Sequence, residues 1–119
     1  MCHVLIIEDE CLIAMHIAFL LEESGATSID TAVTEDEAVA LALSNPPAVI
    51  FSDVNLRSGT GPGAIKRIFS VLGNREVVFV TAVPDACQID GPHVTKLAKP
   101  VADRLLTSTF KAVASHLQA

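Results

Sequence analysis

The sequence has no tryptophan or tyrosine, and only 4% of its residues are aromatic, all of them phenylalanine. Because half of the residues are hydrophobic, the core must consist mainly of aliphatic side chains. The three cysteines, Cys2, Cys11 and Cys87, form no CxxC pair. Their spacing argues against a disulfide framework and against a structural zinc site, and it favours a reduced, cytosolic setting.

Basic residues and long apolar runs are also scarce. Eight Lys and Arg residues face fourteen Asp and Glu residues, which gives a net charge of −6. A duplex-DNA binder normally shows a basic face, so we expect no nucleic-acid partner. No apolar run approaches the ~18 residues of a membrane span, and the first one ends at Glu8, too early for a secretory signal. We expect a cytoplasmic protein without membrane contact, whose acidic balance suits a cation or a basic partner patch.

The hydrophobic pattern alternates between strand and helix. Short apolar runs typical of buried strands alternate with segments of helical spacing. The length fits one domain, residues 1–119. We therefore predict an α/β, flavodoxin-like (βα)5 fold in three layers, with a parallel sheet whose order, 2-1-3-4-5, is taken from the common arrangement for this size. The predicted strands are 3–7, 28–33, 48–52, 77–82 and 93–98, and the predicted helices are 10–24, 35–44, 64–72 and 102–117.

The pattern also predicts an irregular fourth helix, one glycine-rich loop and the core-facing sides of two helices. Residues 84–92 should contain the fourth helix, but Pro84, Gly91 and Pro92 interrupt them, so we predict a short or irregular helix. Residues 57–63 contain three glycines and are predicted to be a loop. Two sets of apolar side chains are expected to face the core, namely Leu12, Ile13, Met15, Ile17, Phe19 and Leu20 in the first helix and Leu105, Leu106, Phe110, Val113 and Leu117 in the last.

Polar residues follow four of the five predicted strands. The first strand runs into Glu8, Asp9 and Glu10, and the third runs into Asp53. Thr81 ends the fourth strand, and Lys99 follows the fifth. Parallel sheets bind ligands beyond the carboxyl ends of their strands, at the point where the strand order reverses. These side chains are therefore expected to meet at one edge of the sheet.

This combination of residues suits phosphoryl chemistry. Clustered carboxylates either raise their pKa values or hold a cation, and oxygen ligands favour magnesium or manganese. Asp53 could carry a phosphoryl group as a mixed anhydride. The Thr81 hydroxyl and the Lys99 ammonium could bind phosphoryl oxygens, and a cis Lys99–Pro100 bond would direct the lysine inward.

Each of these residues also has a simpler interpretation. The acids after the first strand could be solvated side chains at a helix N-terminus, where the helix dipole favours them. Asp53 could cap a turn, Thr81 could fill a strand, and Lys99 could be a surface lysine. Their coincidence at one sheet edge favours a shared site over four independent explanations.

The ordered set Glu8-Asp9, Asp53, Thr81 and Lys99-Pro100 resembles the receiver domain of bacterial two-component response regulators. The stretches VLIIEDE, VIFSDVNL, VVFVTA and KLAKP carry the resemblance, which covers essentially the whole chain. The resemblance implies that Asp53 accepts a phosphoryl group from the phosphohistidine of a sensor histidine kinase or a histidine phosphotransfer protein. It also implies a magnesium site formed by Asp9, Asp53, Glu8 through water and the backbone carbonyl of Asn55, with Thr81 and Lys99 binding the phosphoryl oxygens.

Two positions depart from the usual receiver pattern. Arg57 stands where many receivers have proline, and Lys96 stands where they have a tyrosine or phenylalanine that couples to the threonine. We expect an exposed charge at Lys96, together with Ala82, to form the switch and partner surface. The missing proline and the FVTA strand are similar to an alphaproteobacterial subgroup named for a Phe-Ala-Thr-Gly motif and often paired with HWE-type kinases, although Ala82 replaces the glycine of that motif.

The function implied is a stand-alone phosphoacceptor switch that assists only its own phosphorylation and dephosphorylation. The sequence ends just after the last predicted helix, so we expect a regulator that binds an unknown downstream protein, or a relay or sink. One alternative is a degenerate receiver that serves only as an interaction module. Another is an aspartyl phosphatase of the haloacid-dehalogenase type, which Asn55 disfavours because that class has a second aspartate there.

Overall fold

In the computed structural model of the protein, residues 2–82, 87 and 89–116 are described. They form five strands and four helices in alternating order. The strands are β1 (His3–Ile7), β2 (Ser28–Ala32), β3 (Val49–Ser52), β4 (Glu76–Thr81) and β5 (Val94–Ala98). The helices are α1 (Cys11–Glu23), α2 (Glu35–Ser44), α3 (Gly61–Leu72) and α4 (Asp103–Ser115).

The five strands form one parallel sheet in the order β2-β1-β3-β4-β5. This arrangement confirms the predicted flavodoxin-like topology. The chain moves outward in one direction from β1 to β2 and in the other from β3 to β5, so the order reverses between β1 and β3. Connections leave that point in opposite directions, which opens a crevice at the carboxyl ends of these two strands.

Both faces of the sheet are covered by helices. On one face Val4, Ile6 and Phe51 pack with residues of α1 and α4, and the Phe51 and Phe110 rings lie 6.2 Å apart. On the other face Leu5, Ile7 and Ile50 pack with residues of α2 and α3. Because neighbouring strand residues point to opposite faces, the central strands must be apolar at almost every position. This requirement explains the uninterrupted hydrophobic runs in the sequence.

Helix α1 faces the sheet with one of the two predicted rows, since Ile17 is buried and Ile13 and Leu20 pack against the core, but the other row is exposed. Leu12, Met15 and Phe19 are 81%, 62% and 60% exposed. The buried residues are Ala14, Ile17 and Leu21, on the opposite side of the helix. The prediction that Met15 and Phe19 belong to the core was wrong because α1 is apolar around most of its circumference, and periodicity then does not identify the buried row.

The core face of α4 was predicted more accurately. Leu106, Phe110 and Val113 are buried as expected. Leu105 is 47% exposed, contrary to the prediction, and Leu117 lies outside the described residues. Adjacent residues of a helix point in different directions, so Leu106 faces the sheet and Leu105 does not.

Helix α3 begins at Gly61, earlier than the predicted residue 64. The Thr60 hydroxyl accepts a hydrogen bond from the Gly63 amide, and Pro62 lies in the first turn, where its missing N–H costs nothing. A Cβ at Gly61 would overlap the backbone oxygen of Asp53. The glycine therefore lets the helix start pack directly against the backbone of Asp53, and a segment that resembles a loop forms a helix.

The predicted fourth helix falls mostly on residues 83–86 and 88, which lie outside the described residues. The described residues between β4 and β5 contain no helix. The Lys99–Pro100 peptide bond after β5 is cis, as the sequence suggested. Across the described ranges, none of the helices combines the length and apolar character needed to cross a bilayer.

Candidate functional site

Three carboxylates meet at the crevice between β1 and β3. Ile7 pairs with Ser52 in the parallel ladder, and the Asp53 amide donates to the Ile7 carbonyl at 2.9 Å. This register places Glu8 and Asp9 beside Asp53. One carboxylate oxygen of each lies within 4.8 Å of those of the other two. In the described part of the chain, no other cluster of His, Cys, Asp and Glu meets this criterion.

Glu8 is the buried member of the cluster, with 3% of its surface exposed. Burial is the main cause that raises the pKa of its carboxyl group, and the neighbouring Asp53 charge adds to the effect. The amide of Glu10 donates to Glu8 Oε2 at 3.1 Å, which opposes that increase, as does the charge of Lys99. Glu8 is thus held in a fixed orientation at the base of the site.

Lys99 supplies the positive charge at the site. Its Nζ donates to Asp53 Oδ2 at 3.1 Å and lies 3.6 Å from Glu8 Oε1. Burial lowers the pKa of the Lys99 ammonium, but the hydrogen bond and charge of Asp53 and the charge of Glu8 outweigh burial, so the net shift is upward. The Lys99 amide donates to the Thr81 carbonyl at 2.8 Å, which fixes the start of the β5–α4 connection against β4.

Asp53 has both carboxylate oxygens engaged and still reaches the surface. Oδ1 accepts from the Val54 amide at 2.7 Å, while Oδ2 accepts from Lys99. Its side chain is 15% exposed. The Ser52 hydroxyl donates to the Asp53 carbonyl at 2.7 Å and so helps to hold the backbone. The carboxylate is therefore oriented and accessible at the same time.

The arrangement fits a small divalent cation. All three clustered side chains offer hard oxygen ligands, and a single ammonium leaves an excess of negative charge among them. Such an excess is relieved by protonation or by a cation. Oxygen-only ligand sets favour Mg²⁺ and Mn²⁺ over metals that prefer nitrogen or sulfur.

The remaining predicted site residues lie around this cluster. Thr81 is buried at the end of β4, the strand next to β3, and is paired with Ala98. Asn55 is exposed and forms an isolated antiparallel bridge with Thr60 across the loop after β3. Ala82 is exposed directly after Thr81. The backbone thus brings all three to the carboxyl edge of the sheet.

Lys96 does not present the exposed charge that the sequence suggested. Its side chain is only 21% exposed. Nζ donates to the Cys87 carbonyl at 2.7 Å and to Asp90 Oδ1 at 2.9 Å. The lysine turns towards the connection between β4 and β5 because that connection offers it a carbonyl and a carboxylate. Lys96 therefore ties this connection to β5.

Two residues that sequence reasoning missed, Arg57 and Glu35, hold the loop after Asp53. Arg57 Nη2 donates to the backbone carbonyl of Asp9 at 3.0 Å. Glu35 Oε1 accepts from the Thr60 amide at 3.0 Å, and Glu35 Oε2 accepts from Arg67 at 3.1 Å. The Glu35 amide also donates to the Ser58 carbonyl. The only signal for Arg57 was its departure from the family pattern, and nothing in the sequence indicated the role of Glu35.

Comparison with known proteins identifies the family. Residues 4–111 match the family model described as the response regulator receiver domain. The chain belongs to this family. Receiver domains act as signalling regulators in two-component systems, and the five-stranded parallel sheet of this chain has the receiver fold.

Two of the relatives are PhyR proteins. Over 84 residues, or 69% of its length, this receiver domain is 39% identical to the phyllosphere-induced regulator PhyR of Methylorubrum extorquens, and it spans 31% of that protein. A mutant of the anti-anti-sigma factor PhyR from Bartonella quintana is 30% identical, with a TM-score of 0.79, and the alignment covers 99% of this chain and 50% of that one.

A receiver domain from Clostridium thermocellum shows the fold more completely. The alignment covers 99% of this chain and 98% of that one, with a TM-score of 0.85 and 22% identity. This receiver domain therefore corresponds to a whole domain in one relative and to about a third or half of the PhyR proteins.

Replacing Glu35 with glutamine should make the protein less stable at neutral pH but not at low pH. The Thr60 amide, and then the Arg67 hydrogen bond, lower the pKa of the Glu35 carboxyl from its ordinary value of 4.5. The ionised group therefore stabilises the folded state above that value, and this contribution disappears as pH falls through the lower folded pKa. Urea unfolding between pH 7 and pH 3 measures the difference between wild type and Glu35→Gln.

The matched control is Glu23→Gln, on the exposed side of α1, where the side chain has no partner among the described residues. Its effect on the free energy of unfolding should not change over the same range. An equal, pH-independent effect of both substitutions would show that Glu35 does not hold the loop through its charge.

Proposed function

We propose that this receiver domain is a phosphoacceptor switch in which Asp53 takes a phosphoryl group from a sensor histidine kinase or a histidine phosphotransfer protein. The observation that carries the proposal is the convergence of an accessible Asp53 carboxylate with Glu8, Asp9 and Lys99. The proposed setting is cytoplasmic, and the net charge of −6 favours protein partners over nucleic acid.

The chemistry follows from the side chains at the site. Glu8, Asp9 and Asp53, with the backbone carbonyl of Asn55, would hold Mg²⁺ or Mn²⁺, which supplies positive charge that neutralises the transferring group. An Asp53 carboxylate oxygen forms a bond to phosphorus as the bond from phosphorus to the donor imidazole nitrogen breaks, and the imidazole keeps that electron pair. The Lys99 ammonium and the Thr81 hydroxyl bind phosphoryl oxygens, which stabilises charge that water would otherwise solvate.

Phosphorylation would also change the partners of Lys99. The Asp53 oxygen that Lys99 now contacts becomes part of, or lies next to, an acyl phosphate. The acyl phosphate carries about −1.5 to −2 charges in place of the single charge of the carboxylate, so the ammonium gains a stronger partner nearby. Lys99 is joined to β4 through the Thr81 carbonyl, so a shift there is transmitted to the end of that strand.

We place the output surface at Ala82 and Lys96. Ala82 is exposed directly beyond Thr81. Lys96 lies on β5, three residues before Lys99, and binds Asp90. A shift of β4 and β5 would alter how Lys96 holds the β4–β5 connection. Phosphorylation would then change the population of two surface states, and a downstream protein would bind one of them. The domain would be a regulator and not a turnover enzyme.

The donor would dock on the exposed apolar side of α1. Leu12, Met15 and Phe19 lie on a helix that begins at Cys11, directly after the acidic loop of the site. Exposed apolar side chains clustered on one helix face are typical of a protein interaction site. A partner seated there could place its phosphohistidine over Asp53, which makes the phosphoryl donor the occupant that fits this surface.

Incubation with acetyl phosphate should phosphorylate the wild-type protein only when Mg²⁺ or Mn²⁺ is present. Asp53→Asn should remain unmodified because an amide oxygen is a poor nucleophile, whereas Asp36→Asn, an exposed aspartate on α2, should behave like wild type. Intact-protein mass spectrometry measures the added phosphoryl group. Modification of Asp53→Asn at the wild-type rate would refute the assignment, and no metal-dependent modification of the wild type would favour an interaction module.

Phe19→Ala should slow phosphoryl transfer from a protein donor and leave phosphorylation by acetyl phosphate unchanged. The loss of one exposed anchor removes apolar contact area only in the complex, and we expect about a tenfold slower transfer at subsaturating donor, in line with ~1–2 kcal/mol for a useful interface anchor. The control is Leu43→Ala, an exposed leucine on α2. Equal rates for Phe19→Ala and wild type with the protein donor would exclude this face of α1.

A further inference from the structure

One peptide unit of the acidic loop is held at both of its polar groups. The carbonyl of Asp9 accepts a hydrogen bond from Arg57 Nη2 at 3.0 Å. The amide in the same peptide unit, that of Glu10, donates to Glu8 Oε2 at 3.1 Å. The Asp9–Glu10 peptide therefore connects a guanidinium at the surface to the buried carboxylate of the site.

The two hydrogen bonds reinforce each other. A cation that binds the carbonyl oxygen polarises the peptide, and the polarised amide becomes a better donor. The acceptor at the other end is the carboxylate of Glu8, a residue that is 3% exposed and that also lies beside Lys99. The peptide plane also fixes the backbone of Asp9, whose carboxylate belongs to the same cluster.

These contacts close a ring around the site. Arg57 lies on the loop that follows Asp53, and its guanidinium spans from that loop to the Asp9–Glu10 peptide. Glu8 then lies 3.6 Å from Lys99, and Lys99 donates to Asp53. The loop after β3 and the loop after β1 are thus joined by a side chain across the mouth of the site, and Arg57 supplies that link.

We propose that Arg57 is a positioning residue for the cation site, acting through the Asp9–Glu10 peptide on the orientation of the Glu8 and Asp9 carboxylates. The inference rests on the proposed function, because it concerns the cation that phosphoryl transfer to Asp53 requires. The inference states that the hydrogen bond of Arg57 strengthens cation binding and that its charge alone does not.

A purely electrostatic role of Arg57 predicts the opposite change in cation affinity. Arg57 carries a positive charge close to a site for a divalent cation, so removing that charge should by itself strengthen cation binding. The guanidinium is exposed, and solvent and salt weaken this repulsion. If positioning dominates, removing the side chain weakens cation binding instead. The direction of the change therefore separates the two accounts.

The test compares Arg57→Met, which keeps the length but loses donor and charge, with Arg57→Lys, which keeps a donor and the charge. Arg75→Met is the matched control, since Arg75 lies before β4 at the other end of the sheet and its side chain donates to the Asn74 carbonyl. Mg²⁺ titrations of the full chain, followed by amide chemical shifts, give the dissociation constants. The Glu10 amide resonance in metal-free protein reports the relay directly.

Arg57→Met should bind Mg²⁺ about twofold to tenfold more weakly than wild type, the range expected for losing one net hydrogen bond. Its Glu10 amide should move upfield and exchange faster with solvent before any metal is added. Arg57→Lys should fall between, and Arg75→Met should match wild type. Unchanged or tighter Mg²⁺ binding by Arg57→Met, or an unmoved Glu10 amide, would overturn the inference.

The failure of this inference can be distinguished from the failure of the proposed function. If wild-type protein fails to bind Mg²⁺ or to accept a phosphoryl group from acetyl phosphate, the proposed function fails. If the wild type does both and Arg57→Met is indistinguishable from it, only the positioning role of Arg57 fails.

Discussion

The organisation of this protein depends on an imbalance of charge at one edge of its sheet. The β1–β3 register brings Glu8, Asp9 and Asp53 together, and the Lys99 ammonium contacts Glu8 and Asp53. Apolar strands buried on both faces make that register rigid, because a shift would misplace every core side chain. The unfavourable proximity of the carboxylates is thus maintained by the hydrophobic core, and in the proposed function it would be relieved by a bound cation.

The backbone around Asp53 is held from several directions. Glu35 on α2 binds the Thr60 amide, Arg57 reaches the loop after β1, and Gly61 lets α3 begin against the Asp53 carbonyl. A carboxylate fixed in this way would lose little further entropy in the proposed phosphoryl transfer. By contrast, the ends of β4 and β5 are connected to the site through Lys99 and the Thr81 carbonyl. A change at Asp53 would therefore move these strand ends more readily than the loop after β3.

Sequence patterns were sufficient for the strands and for the residues at the edge of the sheet, since both follow from local rules, whereas the strand order was taken from the common arrangement for this size. A buried strand requires an apolar run, and parallel strands place their carboxyl ends together. The patterns failed where tertiary packing decides between similar options. Because α1 is apolar on several sides, its pattern could not show that Phe19 is exposed. Gly61 starts a helix because its neighbour is the backbone of Asp53. The hydrogen bond of Arg57 depends on a partner 48 residues away in the sequence, and the direction of Lys96 depends on the path of the β4–β5 connection.

The measurement that tests the central claim most directly is the chemical location of the phosphoryl group. After phosphorylation in Mg²⁺, borohydride reduces an acyl phosphate to the corresponding alcohol, and peptide mass spectrometry identifies the reduced residue. The convergence of Glu8, Asp9 and Lys99 on Asp53 predicts reduction at residue 53 and at no other carboxylate. Reduction at another acidic residue, or a phosphoryl group resistant to borohydride, would contradict the account.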